Sequence, residues 1–336
     1  MLGMNMKPTG WFQVAWSAEI PPGGVKPLRY FGLDLVAFRT EAGQLAVLDA
    51  HCRHLGAHLG YDSIVEGSCV QCPYHGWQWD TSGANTLVPY QERPTKSRLR
   101  AWSIIEQHGV VFLWHDPAGG PPRDGWEVPD LFTLVPEIGA VTEADYHPCH
   151  PDSIIDKPDE PVHPQLIQEN TCDSMHFRYT HGAPMDPTFL GFETDGPTWR
   201  SSIGFTSPKT GEIALTVHNI LAGVGVSLAV FDGNRSHYRL ILTGTPIDDE
   251  RTHIRVSYFQ RRLPHSPGRM TADQLAFARQ TIETFEQDAR IWRTQVFVQK
   301  PVFARQDIEG YTALRKYCQQ FYELPEQAGP TPVVAG

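Results

Sequence analysis

The sequence predicts an α+β protein of two domains: an all-β domain over residues 1–120, then a domain of antiparallel strands and a long helix over residues 121–336. Three observations predict it. The first third carries short β-branched or aromatic segments with no helical period. DPAGGPPRDG, residues 116–125, is the strongest run of turn residues in the chain and reads as a linker. After Thr271 a long stretch repeats its apolar residues every three to four positions, as a helix does.

In the first domain GWFQVAW, LRYFGLDLVAFR, LAVLDA and GVVFLWHD read as strands, with turns at PPGG, EAGQ and TSGA between them. Such spacing suggests a small sandwich or barrel. Past the linker, residues 165–181 read as helical. Four strand candidates follow: WRSSIGFTS, GEIALTVHNILAGVGVSLAVF, SHYRLILTGTPI and THIRVSYFQRR. DGNRS, residues 232–236, is a hairpin turn. Thr271 then caps a helix with Gln274 at the capping-box position, and Leu275, Ala278, Ile282, Phe285, Ala289 and Trp292 form its apolar face. GYTALRKYCQQFYEL reads as a shorter terminal helix.

Composition narrows the function. With 28 Lys and Arg against 38 Asp and Glu, the net charge of −10 argues against nucleic acid or an anionic membrane as partner. No secretory leader is visible in MLGMNMKPTGWFQ. The longest apolar run, residues 220–231, is too short to span a bilayer. Six cysteines in 336 residues do not make a disulfide scaffold, so a reducing cytoplasm is expected.

Residues 49–77, DAHCRHLGAHLGYDSIVEGSCVQCPYHGW, concentrate three cysteines and four histidines. Cys52-x-His54 is followed, after seventeen residues, by Cys72-x-x-His75. Each half pairs a thiolate with an imidazole, and the nearby glycines let backbone amides approach a metal. Two readings fit. A zinc ribbon would use Cys69-x-x-Cys72 and two histidines in a tetrahedral site. A Rieske centre would place two cysteines on one iron and two histidines on the other.

A second cluster lies in ENTCDSMHFRYTHG, residues 169–182. Asn170, Asp173 and His176 recur every three residues and would share a helix face. His181 follows five residues later, within reach if the turn loosens. Two histidines and a carboxylate form the facial triad of non-haem Fe(II) oxygenases. Asp173 is the local carboxylate. Asp288 is the distant one, at the border of the apolar face of FEQDARIW, where a carboxylate needs a partner.

CPYHGW and CRHLGAHLG resemble the Rieske signature, and with the second cluster and the late Asp the chain resembles the oxygenase component of a Rieske non-haem iron oxygenase over nearly its whole length. ENTCDSMHFRYTHG and the two late helices most resemble 3-ketosteroid 9α-hydroxylase oxygenases and their sterol-desaturating relatives. The resemblance implies a Rieske domain followed by a helix-grip catalytic domain, assembled as a head-to-tail homotrimer. It implies Cys52, His54, Cys72 and His75 as ligands of a 2Fe–2S cluster, with Cys69 a structural thiol and His51 and His58 surface or supporting groups. Ala57 and Tyr74 stand where respiratory-chain Rieske proteins carry an extra cysteine pair, which implies the oxygenase branch. His176, His181 and Asp288 would hold a mononuclear Fe(II). Asp173 would bridge it to a Rieske histidine of a neighbouring subunit by hydrogen-bonding both imidazoles, and Asn170 would line that site.

The expected activity is dioxygen-dependent hydroxylation of an apolar, steroid-like substrate. No flavin or NAD motif is present: Gly223-x-Gly225 lacks the third glycine and a following helix. Electrons must therefore come from a separate NAD(P)H-driven reductase, directly or through a ferredoxin. The competing oxygenase readings are an aromatic or heterocyclic oxygenase, an O-demethylase or a sterol desaturase. From other classes, an electron carrier without catalysis and a zinc-stabilised binding protein remain. Phe189, Phe192, Trp199, Phe205 and the strand NILAGVGVSLAVF are either cavity lining or ordinary sheet core. HPCHPD, residues 147–152, and His163 lack metal-ligand spacing.

Overall fold

The computed structural model describes residues 5–136, 141–233 and 236–322. It is an α+β molecule built on four antiparallel sheets. In the first domain β1 (Gly10–Trp16), β9 (Ile104–Gln107) and β10 (Val110–His115) form one sheet, and β2 (Val25–Tyr30), β3 (Leu33–Arg39) and β4 (Leu45–Asp49) a second. The third is a short-stranded meander of β5 (Ile64–Glu66), β6 (Cys69–Gln71), β7 (Gln78–Asp80) and β8 (Asn85–Leu87). Val36, Phe38, Leu48, Val70, Trp79 and Leu99 bury the space between the last two sheets.

The stretch LRYFGLDLVAFR is two strands rather than one. They turn at Phe31-Gly32, both left-handed (φ 56° and 75°), as a tight primed turn requires. A phenylalanine does not choose that conformation alone. Its ring stacks on His115 at 3.9 Å, and its N–H donates to the Pro246 carbonyl of the second domain at 2.9 Å.

The second domain centres on a seven-stranded sheet. It comprises β11 (Ile154–Glu160), β12 (Asp186–Asp195), β13 (Thr198–Thr206), β14 (Ile213–Ala222), β15 (Val226–Gly233), β16 (Ser236–Pro246) and β17 (Thr252–Gln260), in the order β11-β17-β16-β15-β14-β13-β12. Side chains alternate between its faces. Val226, Leu228, Val230, Ile241 and Phe259 pack on Trp11, Phe112 and Trp114 of the first domain. Ile254, Val256 and Tyr258 face the other way, under Phe285, Ala289 and Trp292 of α3 (Ala272–Trp292). The sheet thus grips a long helix, as expected. Thr271 accepts from the Gln274 N–H at 3.2 Å and Gln274 accepts from the Thr271 N–H at 3.0 Å, which is the expected capping box. The terminal helix α4 (Ile308–Gln319) is also where the sequence placed it.

Three expectations change. GEIALTVHNILAGVGVSLAVF is a hairpin of β14 and β15 rather than a single strand. Gly223 takes φ 77° in its turn, and a Cβ on Gly225 would lie 2.4 Å from the Phe12 ring, so turn and packing account for both glycines. The helix expected over residues 165–181 is broken into α1 (Pro164–Glu169) and α2 (Met175–Tyr179). The third is the strand count: β11 and β12 were not expected, nor were the short strands β5 to β9 of the first domain. Asn234 and Arg235 of the DGNRS turn lie outside the described residues, while the strands beside it pair with Gly233 opposite Ser236. Among the described residues no helix is long and apolar enough to cross a membrane.

His163 caps α1: its Nδ1 accepts from the Gln165 N–H at 3.0 Å, and its Nε2–H donates to the Asn5 carbonyl at 2.8 Å. It is a structural group, as its sequence context suggested. Burial pushes its pKa from 6.5 down to about 4, opposed in part by the Asn5 bond. The unfolded chain therefore takes up this proton first as pH falls. The contribution is complete above pH 6.5 and is lost between pH 6.5 and 4, by about 3 kcal/mol. The melting temperature should fall steeply across that window, and more shallowly in His163→Asn. Equal acid dependence in both proteins would contradict this role.

Candidate functional site: two metal-binding constellations

The first constellation is built from two matching loops. One follows β4, and the other joins β6 to β7. In each, the cysteine N–H donates to a carbonyl five residues on: Cys52 to Ala57 at 2.9 Å and Cys72 to Trp77 at 2.8 Å. In each, a glycine N–H closes back on the cysteine carbonyl: Gly56 at 2.9 Å and Gly76 at 3.0 Å. Both glycines are left-handed (φ 77° and 71°), and at Gly76 a Cβ would also meet Pro89 at 2.9 Å. This is the physical need behind the glycine in each half of the motif.

The loops bring the four expected residues together. Cys52 and Cys72 are 2% and 3% exposed. Burial pushes the Cys52 thiol up, and the adjacent Cys72 sulfur adds to that shift. Two sulfurs side by side in an apolar core invite a metal to stabilise their ionised form. The His54 and His75 rings lie 4.6 Å apart, and His54 stacks flat on Trp77 at 4.7 Å. The buried indole N–H of Trp79 makes no close hydrogen bond, but it is directed at the Cys52 sulfur and favours its thiolate. A sulfur-ligated cluster would use that donor, so the cradle fits the group.

The remaining candidates of this stretch point elsewhere. The Cys69 sulfur lies 3.3 Å from the Thr86 hydroxyl. His51 lies between the Gly56 carbonyl, at 3.1 Å, and Asp34, at 3.2 Å, and so braces the first loop. His58 accepts from the Gly60 N–H at 2.9 Å. Among the described residues no group of three metal-ligating side chains that includes Cys69 converges on one point.

The second constellation joins α2 to α3. Ligand atoms of His176, His181 and Asp288 all lie within 4.8 Å of one another. The loosened turn is real. The His176 carbonyl accepts from both the Thr180 N–H at 2.7 Å and the His181 N–H at 3.4 Å, and Gly182 (φ 64°) ends the turn. His176 donates through Nδ1 to the Asp173 carbonyl at 2.6 Å. His181 donates through Nδ1 to Gln287 Oε1 at 2.9 Å, with its Nε2 3.2 Å from Asp288. Each outer bond fixes a tautomer that leaves Nε2 for a metal. Burial holds His176 below the usual histidine range, in the neutral form that ligates. Burial also opposes charge on His181, but the Asp288 hydrogen bond and charge outweigh it and raise its pKa. Two imidazoles and a carboxylate around one point are the donor set of a non-haem iron with open positions.

Asp173 departs from expectation in one respect. Its carboxylate accepts from the backbone N–H of His176 at 3.1 Å and lies 3.9 Å from the His176 ring, which it does not hydrogen-bond. The ring is held by the Asp173 main chain instead. Asn170, Asp173, His176 and Asp288 line a recess of about 370 Å³ that Tyr311 and Phe303 of the C-terminal region also border. In its wall Glu169 binds Arg315 through both oxygens, at 2.8 and 3.0 Å, tying α1 to α4. Gln287 and Trp79 were missed by sequence reasoning. Gln287 adjoins Asp288 and Trp79 follows CPYHGW, so proximity to a motif was the signal available. Of the suggested cavity residues, Trp199 is 0% exposed and stacks on Phe192 at 4.6 Å, and both belong to the core under α4. Phe205 is buried too.

Comparison with known proteins agrees with this architecture. Residues 10–105 match the Rieske 2Fe–2S domain and residues 113–322 the 3-ketosteroid 9α-hydroxylase C-terminal domain. An oxygenase component of 3-ketosteroid-9-alpha-monooxygenase from Rhodococcus rhodochrous is 28% identical, covering 96% of this chain and 85% of the relative. A cholesterol 7-desaturase of Bombyx mori is 26% identical over 94% of this chain and 69% of its own length. Among solved structures, the QL mutant of Pseudomonas putida NdmA with caffeine superposes with TM-score 0.69 at 19% identity, over 93% of this chain and 89% of that one. Dicamba monooxygenase bound to dicamba gives TM-score 0.68 at 16% identity, over 94% and 97%. At those identities the two structures establish the fold alone. A family whose C-terminal domain spans more than half of the chain, behind a complete Rieske domain, leaves one assignment: the protein belongs to the 3-ketosteroid 9α-hydroxylase family of Rieske-type oxygenase components, enzymes that use a 2Fe–2S cluster and a mononuclear iron and depend on a separate reductase.

Proposed function

We propose that the protein is the terminal oxygenase of a multicomponent monooxygenase that hydroxylates an apolar, steroid-like substrate. The observation that carries the catalytic half of this reading is the convergence of His176, His181 and Asp288 on one point. In this reading Cys52, His54, Cys72 and His75 hold the cluster, and the other three residues hold the iron. When bound, these groups supply one-electron transfer and dioxygen activation. The chain's own residues do the rest. Asp173 links the two centres, Asn170 lines the approach, and the Nδ1 bonds of His176 and His181 keep both rings aimed. The domain boundary falls within residues 116–125, which carry no regular structure.

The substrate class rests on the interior of the second domain. Phe177, Leu215, Phe231, Leu240 and Ile282 belong to the inner clusters yet keep part of their surface exposed, and the Phe177 ring lies against His176 and His181. Apolar surface left open between sheet and helix suits a rigid hydrocarbon skeleton and excludes water from the reacting carbon.

The protein acts as a head-to-tail homotrimer. Among the described residues of one chain, the ring contacts of His54 and His75 are with each other, Tyr74 and Trp77. Leu55 and Tyr74 are exposed at that tip, and Val296, Val298 and Val302 are exposed around the Asp173 recess. Exposed apolar groups at both places fit a tip that docks on a neighbour's recess. Six buried thiols suit a reducing cytoplasm.

A reconstituted turnover screen tests the reading. Steroids, sterol acyl-CoA derivatives and aromatics are offered with a reductase and NADH, and oxygen uptake is read against product mass. A steroid that gains one oxygen atom is expected. Loss of two hydrogens would make the protein a desaturase, and turnover of aromatics alone would overturn the substrate class.

A further inference from the structure

We propose that Tyr311 is a positioning residue that fixes the Asp173 carboxylate between the two metal centres, a role that rests on the bridging function assigned to Asp173 above. Three features of the fold converge on it. The first is close approach. α4 runs directly against the turn that carries Asp173: a Cβ on Gly310 would lie 3.1 Å from the Cys172 Cβ and 3.3 Å from the Phe189 ring. Glycine lets the helix come this near without crowding either neighbour, and the next residue is Tyr311.

The second is orientation. Tyr311 borders the same recess as Asp173, near enough for its hydroxyl to interact with that carboxylate. Its ring stacks on Phe303 at 5.1 Å, and its N–H donates to the Asp307 carbonyl at 3.1 Å. The stacking holds the ring, and the main-chain bond its backbone, independently of the hydroxyl.

The third is charge. The recess gathers four carboxylates, Glu169, Asp173, Asp288 and Asp307. Its cation, Arg315, is engaged by both oxygens of Glu169. Asp173 has the His176 N–H as its other donor, on Oδ1 at 3.1 Å. A neutral hydroxyl orients a carboxylate without cancelling its charge, whereas a lysine or arginine would lock it in an ion pair and compete with an incoming imidazole. Burial pushes the Tyr311 phenol far above its usual range, and the charge of Asp173 pushes it further, so the hydroxyl stays protonated and remains a donor.

The test is Tyr311→Phe, which keeps the ring and its stacking partner. Pre-reduced, substrate-loaded enzyme is mixed with dioxygen, and recovery of the oxidised cluster's visible absorption is followed over one turnover. Both kcat and the recovery rate should fall by roughly 10-fold or more, as for other groups that orient a metal-site residue. The KM for substrate, the iron content, the cluster potential and the melting temperature should stay at wild-type values. Recovery within about twofold of wild type, or loss of iron or of thermal stability in place of a selective kcat effect, would overturn the proposal. Asp173→Asn run in parallel separates the two levels. If it slows recovery and Tyr311→Phe does not, the Tyr311 assignment alone is wrong. If it leaves recovery unchanged, the bridging reading fails and the Tyr311 assignment fails with it.

Discussion

Asp173→Ala should cut turnover by roughly 100-fold or more while both metal centres stay loaded, the upper range for removing a carboxylate that serves a metal-ligating imidazole. The geometry explains why the two effects separate. The His176 ring is aimed by the main-chain carbonyl of residue 173, at 2.6 Å, and alanine supplies that carbonyl equally well. The side chain contributes a hydrogen bond to the His176 N–H at the start of α2, worth about 1 kcal/mol as a helix cap. Fold and ligand set should therefore survive. What disappears is the acceptor between the recess and a docked imidazole. Iron analysis, the visible spectrum and product formed per hour are measured together. Near wild-type turnover in this variant would remove the bridging role.

His176→Ala has the opposite signature. It removes one of the three groups whose ligand atoms meet within 4.8 Å. His181 and Asp288 remain, 3.2 Å apart, and they close on each other as an ion pair. Two ligands do not hold a ferrous ion against water in a site with open positions. Activity should fall to background, and total iron by about one third, the share of one ion beside a two-iron cluster. The cluster's absorption should be untouched, because its loops pack on a separate core of Phe38, Leu48, Val70 and Trp79. Loss of the cluster together with the mononuclear iron would show that the two sites are not independent.

How much of this was legible in the sequence depended on how local each signal was. The cluster loops were legible because ligand, glycine and ligand lie within six residues of one another. The α3 helix was legible because its apolar period runs for five turns with a capping box at its start. Asp288 was legible because it stood at the edge of that period. The edge strands β11 and β12 were not. IIDKPDE and DPTFLGFETD carry prolines and charges that a central strand rejects and an edge strand tolerates. The break between α1 and α2 was hidden for another reason. The N–H groups of residues 170–173 keep a tightened pattern of hydrogen bonds to carbonyls three residues back, so the spacing of Asn170, Asp173 and His176 looked helical, although the local turn is what places Asp173 below His176. Phe31 at positive φ, Gln287 on His181 and Tyr311 beside Asp173 depend on partners some 84 to 138 residues away, for which a single sequence has no pattern.

The central claim is that this chain holds two separate iron centres, one on each constellation. Crystals of the protein as purified, measured on both sides of the iron absorption edge, test it most directly. The account predicts two anomalous peaks per chain. A two-iron peak should lie among Cys52, His54, Cys72 and His75, and a weaker single-ion peak among His176, His181 and Asp288. A zinc signal at the first position, or a fully loaded first site with a second that stays empty after ferrous iron is supplied, would contradict it.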